Sequence, residues 1–222
     1  MALYVVATPL GNHSDIGSRA KDLLGSCDLL IGEEAKELRA RLKHWGIPPQ
    51  KEMRLLNEHS TATEIQELAE LCENQTVTLV SDCGTPGFFD PGPELVALLR
   101  KKNVPVWSVP GPSSLAAFIS VSGYRFNEFF YAGFLPAKEE LREVKWRELQ
   151  RINVPVFLMD TPYRFKKIVS ELKKVFPKRE VIVGCDLSTE TEKITTQKIR
   201  DLNEADFNLK PEFILCVLPG AN

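Results

Sequence analysis

Three short segments of the chain combine glycine, proline and small polar side chains, and each directly follows an apolar run. They are Thr-Pro-Leu-Gly-Asn at 8–12, Ser-Asp-Cys-Gly-Thr-Pro-Gly at 81–87 and Pro-Gly-Pro-Ser-Ser at 110–114. Glycine lets a backbone approach a ligand closely, while proline fixes the chain so that less entropy is lost on binding. The composition therefore predicts preformed loops that hold a small polar ligand. For any single loop, an alternative is that these residues turn the chain and that Asp82, Asp90 or Ser113 caps the next helix.

Familiar nucleotide and metal motifs are missing from the sequence. No Gly-x-Gly-x-x-Gly follows the first apolar run and no Gly-x-x-x-x-Gly-Lys-Ser/Thr occurs, which argues against the usual NAD and ATP sites. His13, His44 and His59 lack metal-ligand spacing, and the five cysteines form no Cys-x-x-Cys pair. We therefore expect no metal site, no disulfide framework and a reducing, cytoplasmic environment.

The order of apolar runs and amphipathic segments predicts an α/β fold. Nearly continuous apolar strands such as 77–80 are typical of parallel sheets covered by helices on both faces. The three loops all follow such strands, so we expect them at one edge of the sheet, where parallel α/β folds bind ligands. The expected strands are 3–7, 27–32, 77–80 and 105–109, and the expected helices are 16–24, 33–45, 61–73, 93–102 and 115–121.

A second pattern begins near residue 129, so we expect two domains, an N-terminal parallel α/β domain at 1–123 and a C-terminal α/β domain at 124–222. Segment 188–194 alternates poorly, and its conformation stays open. The second domain is expected to contain strands at 130–135, 154–159, 181–185 and 212–218 and helices at 137–151 and 164–176.

The charge distribution restricts the partners. Because the formal net charge is −2, nucleic-acid binding would require a local basic patch. No apolar run approaches the length of about 18 residues that a spanning helix needs, and the first apolar run lacks the basic start of a signal peptide. We therefore expect no membrane association. Two basic sets could contact phosphates, although a solvated helix face explains them as well: Arg39, Arg41, Lys43 and His44, and Lys166, Lys167, Lys173, Lys174, Lys178 and Arg179.

Four segments, in order, resemble the tetrapyrrole-methylase superfamily of S-adenosylmethionine-dependent methyltransferases, and within it the branch that modifies small-subunit ribosomal RNA. They are YVVATPLGNHSDIGSRA at 4–20, VSDCGTPGFFDPGPELV at 80–96, PGPSSLAAFISVSG at 110–123 and FFYAGFLPAK at 129–138. The resemblance implies two α/β domains, with S-adenosyl-L-methionine in the cleft between them, and a homodimer that acts on ribosomal RNA or the small ribosomal subunit.

The same resemblance implies which residues contact the methyl donor. Pro9 lines the adenosyl side, while Val80, Ser81 and Asp82 contact the methionine and ribose parts. The remaining implied contacts are hydrogen bonds from Ser113 and Ser114, closure over the sulfonium or the adenine by Met159, and a contact from Leu187.

Methyl transfer to a hydroxyl also requires a group that removes a proton, and it requires no metal. A carboxylate near the transferred methyl can serve as that base. Glu34 and Asp82 are the candidates from sequence order alone.

The acceptor is less closely defined, because the chain departs from the Glu-Asp-Thr-Arg-x-Thr motif of the RNA-modifying branch. It carries Glu-Glu-Ala-Lys-Glu-Leu at 33–38, and Lys36 keeps the charge of arginine but loses the planar fork suited to phosphate. We expect 2′-O-ribose methylation of small-subunit ribosomal RNA. Two alternatives stay open: methylation of a tetrapyrrole or another small molecule, and binding of the donor without turnover.

Overall fold

The computed structural model describes residues 1–220, which divide into two compact units. The first unit is Met1–Ser113, and the second begins at Ser114. The domain boundary expected after residue 123 would place the helix Ser114–Val121 in the first domain, and that boundary stays a prediction. Among residues 1–220, no helix combines the length and the apolar character needed to cross a membrane.

The first unit is built on five parallel strands. They are β1 (Ala2–Val6), β2 (Leu29–Gly32), β3 (Met53–Leu55), β4 (Thr76–Leu79) and β5 (Val106–Val109), in the order β3-β2-β4-β1-β5. Leu29 and Ile31 of β2 pack into one hydrophobic cluster, whereas Leu30 between them packs into the other. Because successive side chains of a strand point to opposite faces, the sheet is covered on both sides, as predicted for a parallel sheet.

Four helices of the first unit alternate with these strands. They are α1 (Ser18–Ser26), α2 (Ala35–His44), α3 (Ala62–Asn74) and α4 (Pro93–Lys101), and a 3-10 turn, His13–Asp15, precedes α1. A capping box begins α3, because the Thr61 hydroxyl accepts from the Glu64 backbone N–H and the Glu64 carboxylate accepts from the Thr61 backbone N–H. Helix α2 begins later than expected, at Ala35, with Glu34 as its N-cap. The predicted α/β alternation is confirmed.

The second unit contains a mixed five-stranded sheet. Its strands are β6 (Phe130–Gly133), β7 (Val156–Asp160), β8 (Glu180–Cys185), β9 (Lys193–Lys198) and β10 (Phe213–Val217), in the order β6-β7-β10-β8-β9. Only the β6–β7 pair is parallel, and the other three pairs are antiparallel. The helices are α5 (Ser114–Val121), α6 (Glu139–Gln150) and α7 (Phe165–Val175). The second unit is therefore also α/β, as predicted, although its sheet is mostly antiparallel.

Arg142 of α6 is charged but almost fully buried in the second unit, with 1% of its surface exposed. Its Nε donates to both carboxylate oxygens of Glu171 at 3.0 and 3.1 Å, and its Nη1 donates to the carbonyls of Pro136 at 3.0 Å and Ala137 at 2.7 Å. Trp146 Nε1 donates to the same carboxylate at 2.8 Å. The burial is tolerated because the charge is paired, and the network ties the 136–137 segment to α6 and α7.

Candidate functional site

The carboxyl ends of β1 and β4 meet where the strand order reverses. The two strands are neighbours, yet the connection after β1 leads to β2 on one side and the connection after β4 leads to β5 on the other. Open α/β sheets bind ligands in the crevice at such a reversal. The loops that follow β1 and β4 therefore form the candidate site.

Reciprocal hydrogen bonds join these two loops. The Thr8 N–H donates to the Gly84 carbonyl at 2.8 Å, and the Gly84 N–H donates to the Thr8 carbonyl at 3.0 Å. The Thr8 hydroxyl also donates to the Ser81 carbonyl at 3.4 Å, and the Thr8 side chain is fully buried. Segments 8–12 and 81–87 are therefore held together as one element.

The third loop, 110–114, is attached to the other two. The Thr85 hydroxyl donates to the Pro112 carbonyl at 2.8 Å. A Cβ atom at Gly111 would lie 3.0 Å from the Cβ of Ala7, so this loop packs closely against the chain that leaves β1. The prediction that the three loops meet at one edge of the sheet is confirmed.

Gly84 occupies the centre of this arrangement and requires the absence of a side chain. Its φ angle is 79°, in the left-handed region that favours glycine. A Cβ atom here would lie 3.1 Å from Cδ2 of Leu10 and 3.8 Å from the Pro112 carbonyl oxygen. The close approach of all three loops therefore depends on glycine at this position.

Two half-buried carboxylates, Glu33 and Asp82, lie at the same edge. The Asp82 backbone N–H donates to Glu33 Oε1 at 3.0 Å. Burial raises the pKa of Glu33; the Asp82 N–H opposes this rise, and the carboxylates of Asp82, Asp90 and Glu58 add to it. Burial likewise raises the pKa of Asp82, while the Arg41 guanidinium opposes the rise. The edge is therefore a region of excess negative charge that suits a cationic or hydrogen-bond-donating ligand.

Glu34, predicted as a possible base, is exposed at the N-cap of α2. Its charge contributes to the raised pKa of Asp82, after burial and the opposing Arg41 charge. The carboxylate that bonds directly to the Asp82 backbone belongs instead to the preceding residue, Glu33. Sequence reasoning missed Glu33, although its position directly after β2 was a usable signal.

A cavity of about 590 Å³ opens beside Glu33. Glu33, Asn57, Phe88 and Asp90 line it. Asn57 follows the end of β3, so this strand end contributes to the site in addition to those of β1, β2, β4 and β5. Asn57 and Asp90 were not among the predicted ligand-contacting residues, because only the folded sheet brings these strand ends together.

The residues predicted to contact the methyl donor from the first unit all lie at this edge: Pro9, Val80, Ser81, Asp82 and Ser113. Val80 and Ser81 are buried, and the Ser81 hydroxyl donates to the Cys83 carbonyl at 3.2 Å, within its own loop. Ser113 follows Pro112, whose carbonyl accepts from Thr85. Their contacts with a donor stay predictions.

The other three predicted contacts lie in the second unit. Ser114 is the first residue of α5. Met159 lies in β7, and its sulfur accepts a hydrogen bond from the Tyr131 hydroxyl at 3.2 Å. Leu187 is mostly buried between Asp186 and Ser188, whose φ angles of 51° and 66° are in the left-handed region. Their roles toward a donor likewise stay predictions.

Comparison with curated proteins shows close relatives along nearly the whole chain. The chain is 33% identical over 213 residues to "Ribosomal RNA small subunit methyltransferase I" of Leptospira biflexa, which covers 96% of this chain and 88% of that protein. The protein of the same name from Coprothermobacter proteolyticus is 33% identical over 219 residues, with 98% of each chain covered. For the Vibrio cholerae protein of that name, identity is 32% over 221 residues, covering 97% of this chain and 76% of that protein.

Solved structures and a family model give the same assignment of fold. The crystal structure of the methyltransferase CobJ matches with a TM-score of 0.70 and 17% identity, covering 99% of this chain and 95% of that one. The crystal structure of diphthine synthase matches with a TM-score of 0.76 and 15% identity, and the match covers 98% of this chain and 90% of that one. Residues 2–203 match the family model described as "Tetrapyrrole (Corrin/Porphyrin) Methylases". The chain therefore belongs to the tetrapyrrole (corrin/porphyrin) methylase family and is a methyltransferase.

Proposed function

We propose that this methyltransferase uses S-adenosyl-L-methionine to methylate small-subunit ribosomal RNA at a ribose 2′-hydroxyl. The observation that carries the proposal is the convergence of segments 8–12, 81–87 and 110–114 at the point where the strand order reverses. The names of the relatives from Leptospira biflexa and Coprothermobacter proteolyticus support ribosomal RNA as the substrate class.

The residues present fit a donor of this kind. Hydrogen bonds between the loops fix the backbone in advance, so little further ordering is needed on binding. When bound, S-adenosyl-L-methionine supplies a methyl group on a positively charged sulfur. The half-buried carboxylates of Glu33 and Asp82 place negative charge at the loops that would hold it.

Individual contacts follow from the position of each residue. Asp82 presents a carboxylate that can accept hydrogen bonds from the amino or ribose hydroxyl groups of the donor. Pro9, Val80 and Ser81 line the binding loops. The hydrogen bonds proposed for Ser113 and Ser114, and the contacts proposed for Met159 and Leu187, rest on the family resemblance.

A carboxylate at this edge accepts the proton that the ribose hydroxyl loses on methylation. Burial raises the pKa of both Glu33 and Asp82, which makes each a stronger base than an exposed carboxylate. Because Glu34 is exposed, we assign the role of proton acceptor to Asp82 or to Glu33, which bonds to the Asp82 backbone, and not to Glu34.

We further propose that the protein acts in the cytoplasm as a homodimer. An exposed apolar strip in the second unit supports self-association: Leu141 and Val144 lie on α6 and are 57% and 44% exposed. On the same helix, Lys145 Nζ lies 5.6 Å from the ring centroid of Phe130, which is itself exposed. Light scattering of the wild type and of Leu141→Glu tests this; a monomeric wild type would contradict it.

Mass spectrometry of small-subunit ribosomal RNA from a deletion strain tests the substrate. We expect one 2′-O-methyl group to disappear and to return when the wild-type gene is supplied. Loss of no ribosomal RNA methyl group would contradict the proposal and favour a tetrapyrrole or another small molecule as the acceptor.

Calorimetry with S-adenosyl-L-methionine tests the donor site separately. We expect the wild type to bind and Asp82→Ala to bind more weakly, whereas Asp201→Ala, an exposed aspartate of the second unit, should bind like the wild type. Equal affinity in Asp82→Ala and wild type would show that the donor does not contact Asp82. Donor binding without methylation of small subunits would favour a binding protein without turnover.

A further inference from the structure

A second pocket lies between segment 8–12 and α2. The imidazole rings of His13 and His44 stack face to face, with their centroids 4.2 Å apart and their planes 9° from parallel. The Trp45 ring meets His13 edge-on, with centroids 6.3 Å apart. Arg41 and Glu37 lie on the face of α2 that carries His44, one helical turn apart, and they also line the pocket. Its volume is about 260 Å³.

The pocket has more groups that can carry positive charge than negative ones. The Arg41 guanidinium is charged at every physiological pH, and both histidines can take up a proton, whereas Glu37 is the one carboxylate of the lining. The Nε atom of Arg41 is buried and has no hydrogen-bond partner within residues 1–220. Burial lowers the pKa of His13, and the nearby His44 and Arg41 lower it further. An anion in this pocket would relieve the repulsion among these groups.

The loop that forms one wall of the pocket also belongs to the candidate methyl-donor site. Pro9, Leu10 and Gly11 line the pocket, and Thr8 in the same loop bonds to Gly84. An anionic group held by Arg41 and the histidines would therefore lie next to the loops at which the acceptor must be presented. The backbone of the acceptor RNA has such a group at every nucleotide.

We propose that His13, Arg41 and His44 bind a backbone phosphate of the RNA strand and thereby position it beside the methyl-donor loops. This inference rests on the proposed function. The guanidinium supplies a planar pair of N–H donors that matches two phosphate oxygens, and protonated imidazoles supply further donors. These are positioning residues, because they hold the substrate and do not touch the reacting atoms.

The proposal predicts that protons are taken up on binding. Glu37, Arg41 and His44 of α2 line the pocket with His13, and Asp15 shares its 3-10 turn. The Asp82 carboxylate, in the loop after β4, interacts electrostatically with Arg41. A bound phosphate stabilises the protonated form of His13 and so opposes the lowering of its pKa. Affinity for RNA should therefore increase as the pH falls, and because the pKa of free His13 is lowered, this increase should begin only at pH values at which RNA-bound His13 takes up its proton.

Fluorescence anisotropy with a labelled single-stranded oligoribonucleotide tests the inference on the full-length chain. In wild type, log K should fall linearly with log salt, and Arg41→Gln should reduce the slope by about 0.7, as expected for one lost phosphate contact on a single strand. Arg41→Lys keeps the charge but loses the planar fork, so it should retain the slope with weaker affinity. Lys101→Gln, at an exposed cation of α4 that belongs to neither basic set, is the control and should keep the salt slope and the affinity of the wild type.

The double variant His13→Asn, His44→Asn should lose the dependence of affinity on pH. His59→Asn is the control, because the His59 side chain is 86% exposed and lies in another loop. Thermal melting of every variant checks that the fold is retained. Unchanged salt slope in Arg41→Gln together with unchanged pH dependence in the double variant would overturn the inference.

The outcomes separate this inference from the proposed function. If the wild type methylates small-subunit ribosomal RNA while the pocket variants bind RNA like the wild type, only the phosphate site is wrong. If the wild type methylates no RNA, the proposed function fails. A third experiment titrates the protein with inorganic phosphate and follows the histidine ring protons by nuclear magnetic resonance. If free phosphate binds and RNA does not, the phosphate that occupies this pocket does not belong to RNA, and the inference is overturned.

Discussion

The Glu33 carboxylate accepts a hydrogen bond from the Asp82 backbone N–H at 3.0 Å, although 49 residues separate them in the chain. This bond joins the end of β2 to the loop after β4. On its other side the same loop is held by the reciprocal bonds between Thr8 and Gly84. Asp82, the residue to which we assign donor binding, is therefore supported from both neighbouring strands.

Replacing Glu33 with glutamine should stabilise the protein at neutral pH. The amide oxygen can still accept from Asp82, but a half-buried charge is removed. Because the pKa of Glu33 is raised on folding, its ionised form destabilises the fold above that pKa, and the effect vanishes once the group is protonated. We expect a higher Tm for Glu33→Gln than for wild type at neutral pH, with the difference closing below about pH 4. Thermal unfolding followed by circular dichroism measures it.

Glu33→Ala is the matched comparison for this prediction. It removes the charge and the acceptor together, and leaves the Asp82 N–H without its partner. Its Tm at neutral pH should lie below that of Glu33→Gln. The reverse order would show that the hydrogen bond has no role in holding the loop.

Alanine at position 84 should destabilise the protein and weaken donor binding. The backbone there has a φ of 79°, and the new methyl group would approach Leu10 at 3.1 Å. Left-handed backbone costs a residue with a Cβ about 1–2 kcal/mol. Urea unfolding and calorimetry measure the two effects. Gly25→Ala in α1, with no atom within 4 Å of the added Cβ, should be neutral or up to about 1 kcal/mol more stable.

The thiol of Cys83 should be the one that reacts in the folded protein. It is exposed in the 81–87 loop, whereas burial raises the pKa of Cys72, Cys185 and Cys216 to about 12. Cys27 is also buried, and burial raises its pKa. Ellman's reagent should therefore modify Cys83 before unfolding and the other thiols only afterwards.

Modification of Cys83 should also lower affinity for S-adenosyl-L-methionine, because the label is attached to a loop to which we assign donor binding. Cys83→Ser should bind the donor and resist inactivation by the reagent. Rapid reaction of a folded Cys83→Ser variant would contradict the assignment.

Arg142→Met should destabilise the second unit strongly. The substitution leaves the Glu171 carboxylate without its cation and the Ala137 carbonyl without its donor, whereas the Pro136 carbonyl keeps a hydrogen bond from Arg164 Nη2 at 3.2 Å. Removing one partner of a buried ion pair costs about 3–5 kcal/mol. Arg147→Met, an exposed position on the same helix, should change stability by less than about 0.5 kcal/mol. Equal unfolding midpoints for the two variants would contradict the role of the buried network.

The meeting of the three loops could be predicted from the sequence because a parallel topology places the loops that follow its strands at one edge of the sheet. A strand as apolar as 77–80 must be covered on both faces, and the carboxyl ends of parallel strands share one edge. The choice between Glu33 and Glu34 could not be made in the same way. Successive residues of extended chain point to opposite sides, so the contact with Asp82 depends on where α2 begins.

Two edge strands were not predicted, for a similar reason. Met53–Leu55 has only three residues, and Lys193–Lys198 is polar, so neither has a buried face that would impose alternation. Their pairing with β2 and β8 supplies the hydrogen bonds that define them. Segment 188–194, left open from the sequence, contains a turn and the start of the second of these strands.

The bonds between Thr8 and Gly84 and between Thr85 and Pro112 also limit how the protein can be re-engineered. A designer who transplants residues 81–87 onto another scaffold loses the partners that give that segment its shape. The smallest transferable unit is a set of three peptides from distant parts of the gene, and an insertion in any one of them deforms the other two.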